Sequence, residues 1–306
     1  MAFPPLENCR FLTGPTGSGK TAAGVELAQK TGAEIISMDS MALYRGMDIG
    51  TAKPTAVERA AVPHHLIDVI EPHEEYSVAQ YVAAAHEKVA EIRARGREVL
   101  FVGGTPLYLK ALLRGLFKGP PADAAFRQQL HEEAARHAPG RLHNRLAQVD
   151  PAAAERLHPN DTRRIIRALE VYEKTGELMS DWQQQFNKLP EETGNRVYVL
   201  DWPRHELNER IDRRVDAMFA AGLVEEVRAL MTRDPPLSKT ARQAVGYREV
   251  IEHFEGVRGL DETMALVKQH TRQLAKRQGT WFRALPESRY VAMGGMLARG
   301  LGPLDF

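Results

Sequence analysis

The 306-residue sequence contains a single cysteine, Cys9, and almost no net charge. One cysteine excludes an internal disulfide bond and a cysteine-based zinc finger. The 41 Lys and Arg residues are balanced by 40 Asp and Glu residues, which leaves a formal charge of +1. Any binding of nucleic acid must therefore depend on local basic patches, because the chain as a whole is not basic.

Long apolar runs are also missing. No run approaches the roughly 18 residues of a membrane-spanning helix, and the first residues lack the charged and apolar pattern of a signal peptide. The eleven histidines show no metal-ligand spacing. These absences predict a cytoplasmic protein that does not contact a membrane, with 43% hydrophobic residues available for a sizeable core.

A phosphate-binding loop is predicted at Gly14-Pro15-Thr16-Gly17-Ser18-Gly19-Lys20-Thr21, which has the spacing G-x-x-x-x-G-K-[ST]. An apolar run at 9–12 predicts a strand before the loop, and an amphipathic segment at 21–29 predicts a helix after it. The glycines let backbone N–H groups turn toward an anion, and the helix N-terminus adds a positive dipole. Lys20 supplies charge to the outer phosphate, and the Thr21 hydroxyl is placed to bind Mg²⁺.

Further strands are predicted at 34–38, 98–102 and 197–200, and helical segments separate them. This alternation is typical of right-handed βαβ units and predicts an α/β fold, in which a parallel sheet flanked by helices forms a phosphate-loop NTPase-like core. We expect residues 1–119 to form the first part of the core. Residues 120–190 form a helical insertion whose boundary after 150 stays open, and residues 191–306 complete the core with C-terminal helices. One of these helices is predicted at 241–254.

Two further polar features follow predicted strands, namely Asp39-Ser40 and Gly103-Gly104-Thr105. Ligands bind outside the carboxyl ends of the strands in such sheets, so both features are expected to join the phosphate loop in one site. Phosphoryl-transfer enzymes usually carry an Asp at the end of an apolar strand, whereas here the strand leads to Thr105. A Thr hydroxyl can donate a hydrogen bond to a departing diphosphate. Asp39 is a candidate general base, with a loop-capping role as the alternative.

Basic residues recur at helical spacing in three segments, which contain Arg163 and Arg167, Arg210 and Arg214, and Lys276 and Arg283. Each pattern is also typical of a solvated helix face, but three of them in a neutral protein favour a phosphate-rich partner. The stretch Gln243-Ala244-Val245-Gly246-Tyr247-Arg248 combines glycine, an aromatic ring and a cation. That mixture suits a single-stranded nucleic-acid loop, although a plain helix start is the alternative.

Over nearly its whole length the sequence resembles bacterial tRNA dimethylallyltransferases, also called tRNA isopentenyltransferases. The resemblance rests on an ordered set of motifs: GPTGSGKT at 14–21, DS at 39–40, YRGMDIGTAKP at 44–54, PHHLID at 63–68, GGTPLYLKALLRG at 103–115, HPND at 158–161, RALEVY at 167–172, QAVGYRE at 243–249 and RQLAKRQGTWFR at 272–283. A phosphate loop alone is shared by many folds, whereas this ordered set is specific.

The resemblance implies an enzyme that uses Mg²⁺ and transfers a dimethylallyl group from dimethylallyl diphosphate to tRNA. The acceptor would be N6 of the adenosine 3′-adjacent to the anticodon in tRNAs that read codons starting with U. Thr105 would donate a hydrogen bond to the bridging oxygen of the diphosphate, and Asp39 would accept the proton from the N6 amine. Residues 14–21, with Arg210 or Arg214, would hold the diphosphate.

The resemblance also implies a flipped target base and a set of tRNA contacts. These contacts fall on Asp39, Ser40, Met41, Ala42, Thr105, Arg127, Arg163, Arg164, Ile165, Ile166, Arg167, Gln243, Ala244, Val245, Gly246, Tyr247, Arg248, Lys276, Arg277, Gln278, Gly279, Thr280, Trp281, Phe282 and Arg283. Many relatives carry Gln where this chain has Ala42, which puts one base contact in doubt. A monomer is expected, although the sequence does not determine the oligomeric state.

Three alternative functions fit the residues less well. An adenylate isopentenyltransferase acting on free AMP or ATP should lack both the helical insertion and the C-terminal basic stretch. A phosphate-loop kinase of small molecules would need an acid near 103–105, where this chain has none. A non-catalytic nucleic-acid-binding module would not need Lys20 and Thr21 in a complete phosphate loop.

Overall fold

A computed structural model describes residues 3–117, 119–183 and 193–293 of the chain. The elements follow in the order β1 (Arg10–Thr13), α1 (Lys20–Thr31), β2 (Ala33–Ser37), α2 (Ala56–Ala61), β3 (His64–His65), α3 (Val78–Ala94), β4 (Glu98–Val102), α4 (Pro106–Arg114), α5 (Ala124–Arg136), α6 (Arg141–Val149), α7 (Pro151–Arg156), α8 (Thr162–Thr175), α9 (Met179–Trp182), β5 (Arg196–Asp201), α10 (Arg204–Ala220), α11 (Leu223–Met231), α12 (Lys239–Arg242), α13 (Tyr247–Phe254), α14 (Leu260–Arg283) and β6 (Ser288–Ala292). None of the helices within these described ranges is long and apolar enough to cross a membrane.

One compact unit, formed by residues 6–113 and 192–306, contains a six-stranded sheet in the order β3-β2-β4-β1-β5-β6. Every pairing in this sheet is parallel. The central strands are buried on both faces, which explains why β1, β2 and β4 are short continuous apolar runs without alternation. The predicted α/β fold class is confirmed.

The second compact unit consists of residues 1–5 and 114–191 and is helical in its described part. Apolar side chains of α5 to α9 form its core around Leu130, Leu146 and Ile165. Glu170 of α8 is completely buried there and accepts hydrogen bonds from Arg127 and Arg167, at 2.7 and 2.5 Å. The insertion boundaries proposed from the sequence, 120–190, stay a prediction, since residues 184–190 lie outside the described part.

The prediction of a single helix at 241–254 is wrong, because α12 ends at Arg242 and α13 begins at Tyr247. Gly246 separates the two helices with a φ of +96°, a conformation that costs glycine little but strains other residues. The Gly246 N–H donates to Oε2 of Glu249 at 2.7 Å, which caps α13. The break presents residues 243–246 as a turn.

The ends of β2 and β4 approach each other so closely that only glycine fits between them. A Cβ atom added to Gly103 would lie 2.1 Å from the carbonyl oxygen of Met38. The Met38 N–H donates to the Val102 carbonyl at 2.8 Å, and the Thr105 N–H donates to the Met38 carbonyl at 3.1 Å. Residues after β2 and after β4 are therefore joined by backbone hydrogen bonds.

We expect Gly103→Ala to lower the free energy of unfolding by about 1–3 kcal/mol, because the added methyl group must displace the Met38 backbone. Gly259→Ala is a suitable control, since nothing lies within 4 Å of a Cβ atom added there. Urea denaturation followed by circular dichroism measures both. Equal stability of the two variants would contradict the assigned close approach.

Candidate active site

Three loops that the sequence placed after strands meet at the carboxyl edge of the sheet. The Thr13 hydroxyl at the end of β1 donates to the Gly103 carbonyl at 2.7 Å. The Ser40 N–H donates to Oγ1 of Thr105 at 3.0 Å. The phosphate loop, the Asp39-Ser40 pair and the 103–105 loop therefore belong to one site.

A cavity of about 730 Å³ opens at this edge, and all of its lining residues belong to the unit that contains the sheet. It is lined by the three loops, by residues of α10 and α14, and by the segments 50–55 and 243–247. The predicted site residues that line it are Thr16, Gly17, Gly19, Lys20, Thr21, Asp39, Ser40, Met41, Ala42, Thr105, Arg214, Gln243, Ala244, Val245, Gly246, Tyr247, Arg277 and Gln278.

The phosphate loop depends on glycine at the positions where the backbone has positive φ. Gly17 and Gly19 have φ values of +83° and +91°, and Gly19 is the N-cap of α1. A Cβ atom at Gly17 would lie 2.8 Å from the Ile211 side chain. The Ser18 hydroxyl is buried and has no hydrogen-bond partner among the described residues. An orphaned hydroxyl inside the loop fits a site that is completed by a ligand.

Lys20 is held inside the loop. Its Nζ donates to the carbonyl oxygens of Gly14 and Pro15, each at 2.9 Å. Burial, and to a smaller extent the Arg214 guanidinium, lower the pKa of Lys20 to about 8, and the Asp39 carboxylate opposes both effects. A bound anion would stabilise the Lys20 ammonium, because it would replace water that the ammonium has lost.

The two candidate arginines of α10 have different positions. Arg210 donates from Nε to the Gly17 carbonyl at 2.8 Å, and its guanidinium lies 4.2 Å from the ring centre of Trp202. Arg210 therefore supports the loop without lining the cavity. Arg214 lines the cavity, and no hydrogen bond or ion pair links its guanidinium to another residue in the described ranges. Burial lowers the pKa of Arg214, and the nearby Asp39 carboxylate opposes this shift.

Trp202 is a residue that the motifs did not single out. Its Nε1 donates to the Ser18 carbonyl at 2.9 Å, so it supports the phosphate loop beside Arg210. The sequence offered one signal that could have identified Trp202, namely its position directly after β5. The carboxyl end of β5 lies at the same edge of the sheet as the phosphate loop.

Asp39 and Thr105 are both half-buried at the cavity wall. Oδ1 of Asp39 accepts the Met41 N–H at 2.9 Å, and no described residue donates a hydrogen bond to Oδ2. Oγ1 of Thr105 accepts the Ser40 N–H at 3.0 Å and donates a long hydrogen bond to the Ser40 hydroxyl at 3.4 Å, so its proton can turn to a stronger acceptor. The arrangement therefore offers one free carboxylate oxygen and one hydroxyl donor.

Gln278 of α14 joins two of the loops. Its Oε1 accepts the Thr16 N–H at 2.8 Å, and its Nε2 donates to the Gly104 carbonyl at 2.7 Å. The sequence grouped this residue with tRNA contacts and gave no sign of this bridge. The C-terminal helix is therefore part of the wall of the site.

The other tRNA contacts predicted on α14 differ in how exposed their side chains are. Those with exposed side chains are Lys276, Arg277, Thr280, Trp281 and Arg283. Phe282 is completely buried, so its side chain cannot form the surface contact predicted for it. Arg248, near the start of α13, pairs with the buried Glu249 at 2.5 Å.

The predicted contacts in the helical unit do not line the cavity. Arg163 and Arg164 are exposed on α8, and Arg164 pairs with Asp161 at 3.0 Å. Ile165 and Ile166 are almost fully buried in the core of this unit. Their side chains are therefore unavailable for the tRNA contact expected of them, because the apolar face of α8 points inward.

Comparison with known proteins confirms the resemblance found in the sequence. The model of the IPP transferase family matches residues 42–285. The tRNA dimethylallyltransferase of Symbiobacterium thermophilum is 49% identical over 94% of this chain and 90% of its own length. That of Rhodopirellula baltica is 47% identical over 94% and 89%.

Two solved structures agree with this assignment. A full-length tRNA isopentenylpyrophosphate transferase from Bacillus halodurans has a TM-score of 0.69 and 38% identity, covering 94% of this chain and 90% of that one. A eukaryotic dimethylallyltransferase acting on tRNA has a TM-score of 0.79 and 27% identity, covering 96% and 76%. The chain therefore belongs to the tRNA dimethylallyltransferase (IPP transferase) family.

Proposed function

We propose that this chain transfers a dimethylallyl group from dimethylallyl diphosphate to N6 of the adenosine 3′-adjacent to the anticodon. The substrates are tRNAs that read codons starting with U, and the products are N6-isopentenyladenosine and diphosphate. One observation carries the proposal: a phosphate loop, a carboxylate with a free oxygen and a hydroxyl donor line the same cavity. The names of the relatives support the transferred group and the tRNA substrate.

The diphosphate is bound at the loop between β1 and α1. Backbone N–H groups at the N-terminus of α1 bind anions, and the helix dipole adds positive potential. Lys20 moves from the carbonyls of Gly14 and Pro15 to the phosphate oxygens, and the Arg214 guanidinium adds a second cation. Both cations are half-buried, so their attraction to the diphosphate is stronger than it would be in water.

The residues present fit a Mg²⁺ ion held with the diphosphate. The described part of the chain has no group of three His, Cys, Asp or Glu residues that could hold a metal by themselves. Mg²⁺ commonly binds to substrate phosphates with only one or two protein groups and several waters, and the Thr21 hydroxyl lines the cavity as such a group. When bound, the ion would neutralise charge on the departing diphosphate.

The reaction replaces a carbon–oxygen bond with a carbon–nitrogen bond. The N6 nitrogen attacks C1 of the dimethylallyl group, and the bond from C1 to the bridging oxygen breaks with its electron pair on diphosphate. Thr105 donates a hydrogen bond to that oxygen as charge develops on it. The free carboxylate oxygen of Asp39 accepts the proton that N6 loses, as a general base.

The acceptor base must leave its stack to reach the cavity. Extrusion costs least from a single-stranded loop, which favours an anticodon loop over a duplex. Exposed Lys276, Arg277, Arg283 and Trp281 on α14 supply cations and a stacking surface on the unit that holds the cavity. The tRNA substrate supports action in the cytoplasm, and a monomer stays the prediction from the sequence.

The proposal predicts that the purified chain, given dimethylallyl diphosphate and Mg²⁺, prenylates an anticodon stem-loop RNA. Free AMP should gain little or no prenyl group. Mass spectrometry of the digested RNA and of the AMP measures both outcomes. Prenylation of AMP alone would instead favour an adenylate isopentenyltransferase.

Asp39→Asn should slow the transfer step by about 10²–10⁴-fold, because the amide cannot accept the proton from N6. The amide oxygen still accepts the Met41 N–H, so binding of RNA should change little. Single-turnover transfer and RNA affinity are measured on the same preparation. Asp201→Asn is the matched control, since Asp201 is exposed at the end of β5 and does not line the cavity. An Asp39→Asn enzyme with the rate of this control would contradict the role of general base.

Affinity for dimethylallyl diphosphate, measured without RNA at constant Mg²⁺, should fall as the pH rises above about 8. Burial and the Arg214 guanidinium lower the pKa of Lys20 to about 8, so above this pH the free site loses the proton that the anion needs. Linkage of one proton gives a fall of up to about tenfold per pH unit. Calorimetry between about pH 7 and 9.5 tests this. Lys20→Arg should remove the decline, and a persistent decline in that variant would exclude Lys20 as its source.

A further inference from the structure

Glu226 of α11 joins two separate segments of the chain. Its carboxylate accepts four hydrogen bonds, and it has no role in the reaction steps proposed above. Oε2 accepts the N–H groups of Asp48 and Ile49 at 3.0 and 2.8 Å. Oε1 accepts the Gly50 N–H at 3.2 Å and the Tyr247 hydroxyl at 2.6 Å.

The two segments that Glu226 joins are both part of the cavity wall. Residues 50–55 and Tyr247 line the cavity, whereas Glu226 does not. The Tyr247 ring lies so close to Gly50 that a Cβ atom added there would be 2.4 Å from the ring. The ring and the loop therefore form one surface, which the Glu226 carboxylate supports from behind.

A second set of contacts, at Lys53, also holds this loop. The Lys53 ammonium is almost fully buried and pairs with Asp48 at 2.7 Å and Asp68 at 2.6 Å. Burial by itself would raise the pKa of Asp68, but hydrogen bonds from Lys53 and Arg59 lower it overall. These charged pairs hold the Asp48 side chain and the loop at Lys53 independently of Glu226. The backbone N–H groups of Asp48 and Ile49 depend on Glu226, because the described residues offer them no other acceptor. The Gly50 N–H also approaches the Tyr247 hydroxyl.

A carboxylate is the side chain that this position needs. All four partners are donors, and a carboxylate can accept at both oxygens. An amide of the same shape would point an NH₂ group either at the N–H groups of Asp48 and Ile49 or at the Gly50 N–H and the Tyr247 hydroxyl. The hydroxyl can turn and accept from the NH₂ group, but a backbone N–H cannot, so at least one N–H loses its acceptor. The hydrogen bonds of Ile49 and Gly50 are partly buried. A donor left unsatisfied there costs up to about 1–3 kcal/mol, so the loop should move away from its position in the wall.

We propose that Glu226 is a positioning residue for the transfer reaction. It holds residues 48–50 and Tyr247 as the wall for the acceptor adenosine, without touching either substrate. The phosphate loop, Lys20 and Arg214 take the diphosphate, so the wall of Gly50 and the Tyr247 ring remains for the planar base. This inference rests on the proposed function.

The test compares Glu226→Gln with Glu225→Gln. Both changes remove one negative charge from the first turn of α11, but Glu225 is exposed and has no contact with the loop. Glu226→Gln should raise the KM for an anticodon stem-loop RNA by about tenfold or more, the equivalent of one lost hydrogen bond to a charged group. The Kd for dimethylallyl diphosphate without RNA should stay within about twofold. Glu225→Gln should match the wild type in both.

Hydrogen exchange supplies a measurement that does not depend on activity. The amides of Asp48, Ile49 and Gly50 should exchange faster in Glu226→Gln and keep wild-type protection in Glu225→Gln. If the wild type transfers no prenyl group to RNA, the proposed function fails, while faster exchange in Glu226→Gln still shows that this carboxylate holds the loop.

Three outcomes would overturn the inference. The first is that Glu226→Gln shows the same hydrogen exchange and the same kinetics as Glu225→Gln. The second is an equal loss of affinity for RNA and for dimethylallyl diphosphate, which would indicate a general effect on the fold. If Glu226→Gln does not fold, Tyr247→Phe decides, because it removes one of the four donors and keeps the ring. The third outcome that would overturn the inference is a folded Tyr247→Phe variant whose KM for RNA is unchanged.

Discussion

The close approach of β2 and β4 is the constraint on which the site depends. Gly103 leaves the Met38 carbonyl free to accept the Thr105 N–H, and this contact places Thr105 beside Ser40. Because β1 pairs with β4 on its other side, the phosphate loop comes to the same edge of the sheet. A carboxylate, a hydroxyl and an anion site thus converge from three short loops, and parallel pairing is the physical reason.

The charges inside the cavity are arranged for an anion. Burial lowers the pKa of both Lys20 and Arg214, and each also senses the Asp39 carboxylate. Keeping two cations out of water costs free energy, and a bound diphosphate would recover part of it. Asp39 is the carboxylate of the cavity whose charge acts on both cations. Binding of the donor and activation of the acceptor would therefore depend on one electrostatic arrangement.

Residues from the C-terminal part of the chain support this arrangement from behind. Gln278 joins the loops at Thr16 and Gly104, and Arg210 with Trp202 supports the phosphate loop. Glu226 has the same kind of position behind the loop at 48–50. Each of these side chains forms a hydrogen bond with the backbone of a loop at the cavity. Such support limits the motion of the groups that must be aligned for transfer.

The sequence by itself determined the α/β fold class, the phosphate loop and the family, because each depends on local spacing or on ordered motifs. It also placed Asp39 and Thr105 at strand ends, since apolar runs mark the strands that precede them. Only the tertiary structure decided which side chains support the loops: Thr16 and Gln278 are 262 positions apart, and no local pattern relates them. It also decided that α12 and α13 are separate helices and that the Phe282 side chain is completely buried. Helix propensity and periodicity describe neighbours along the chain, whereas burial and long-range hydrogen bonds depend on packing.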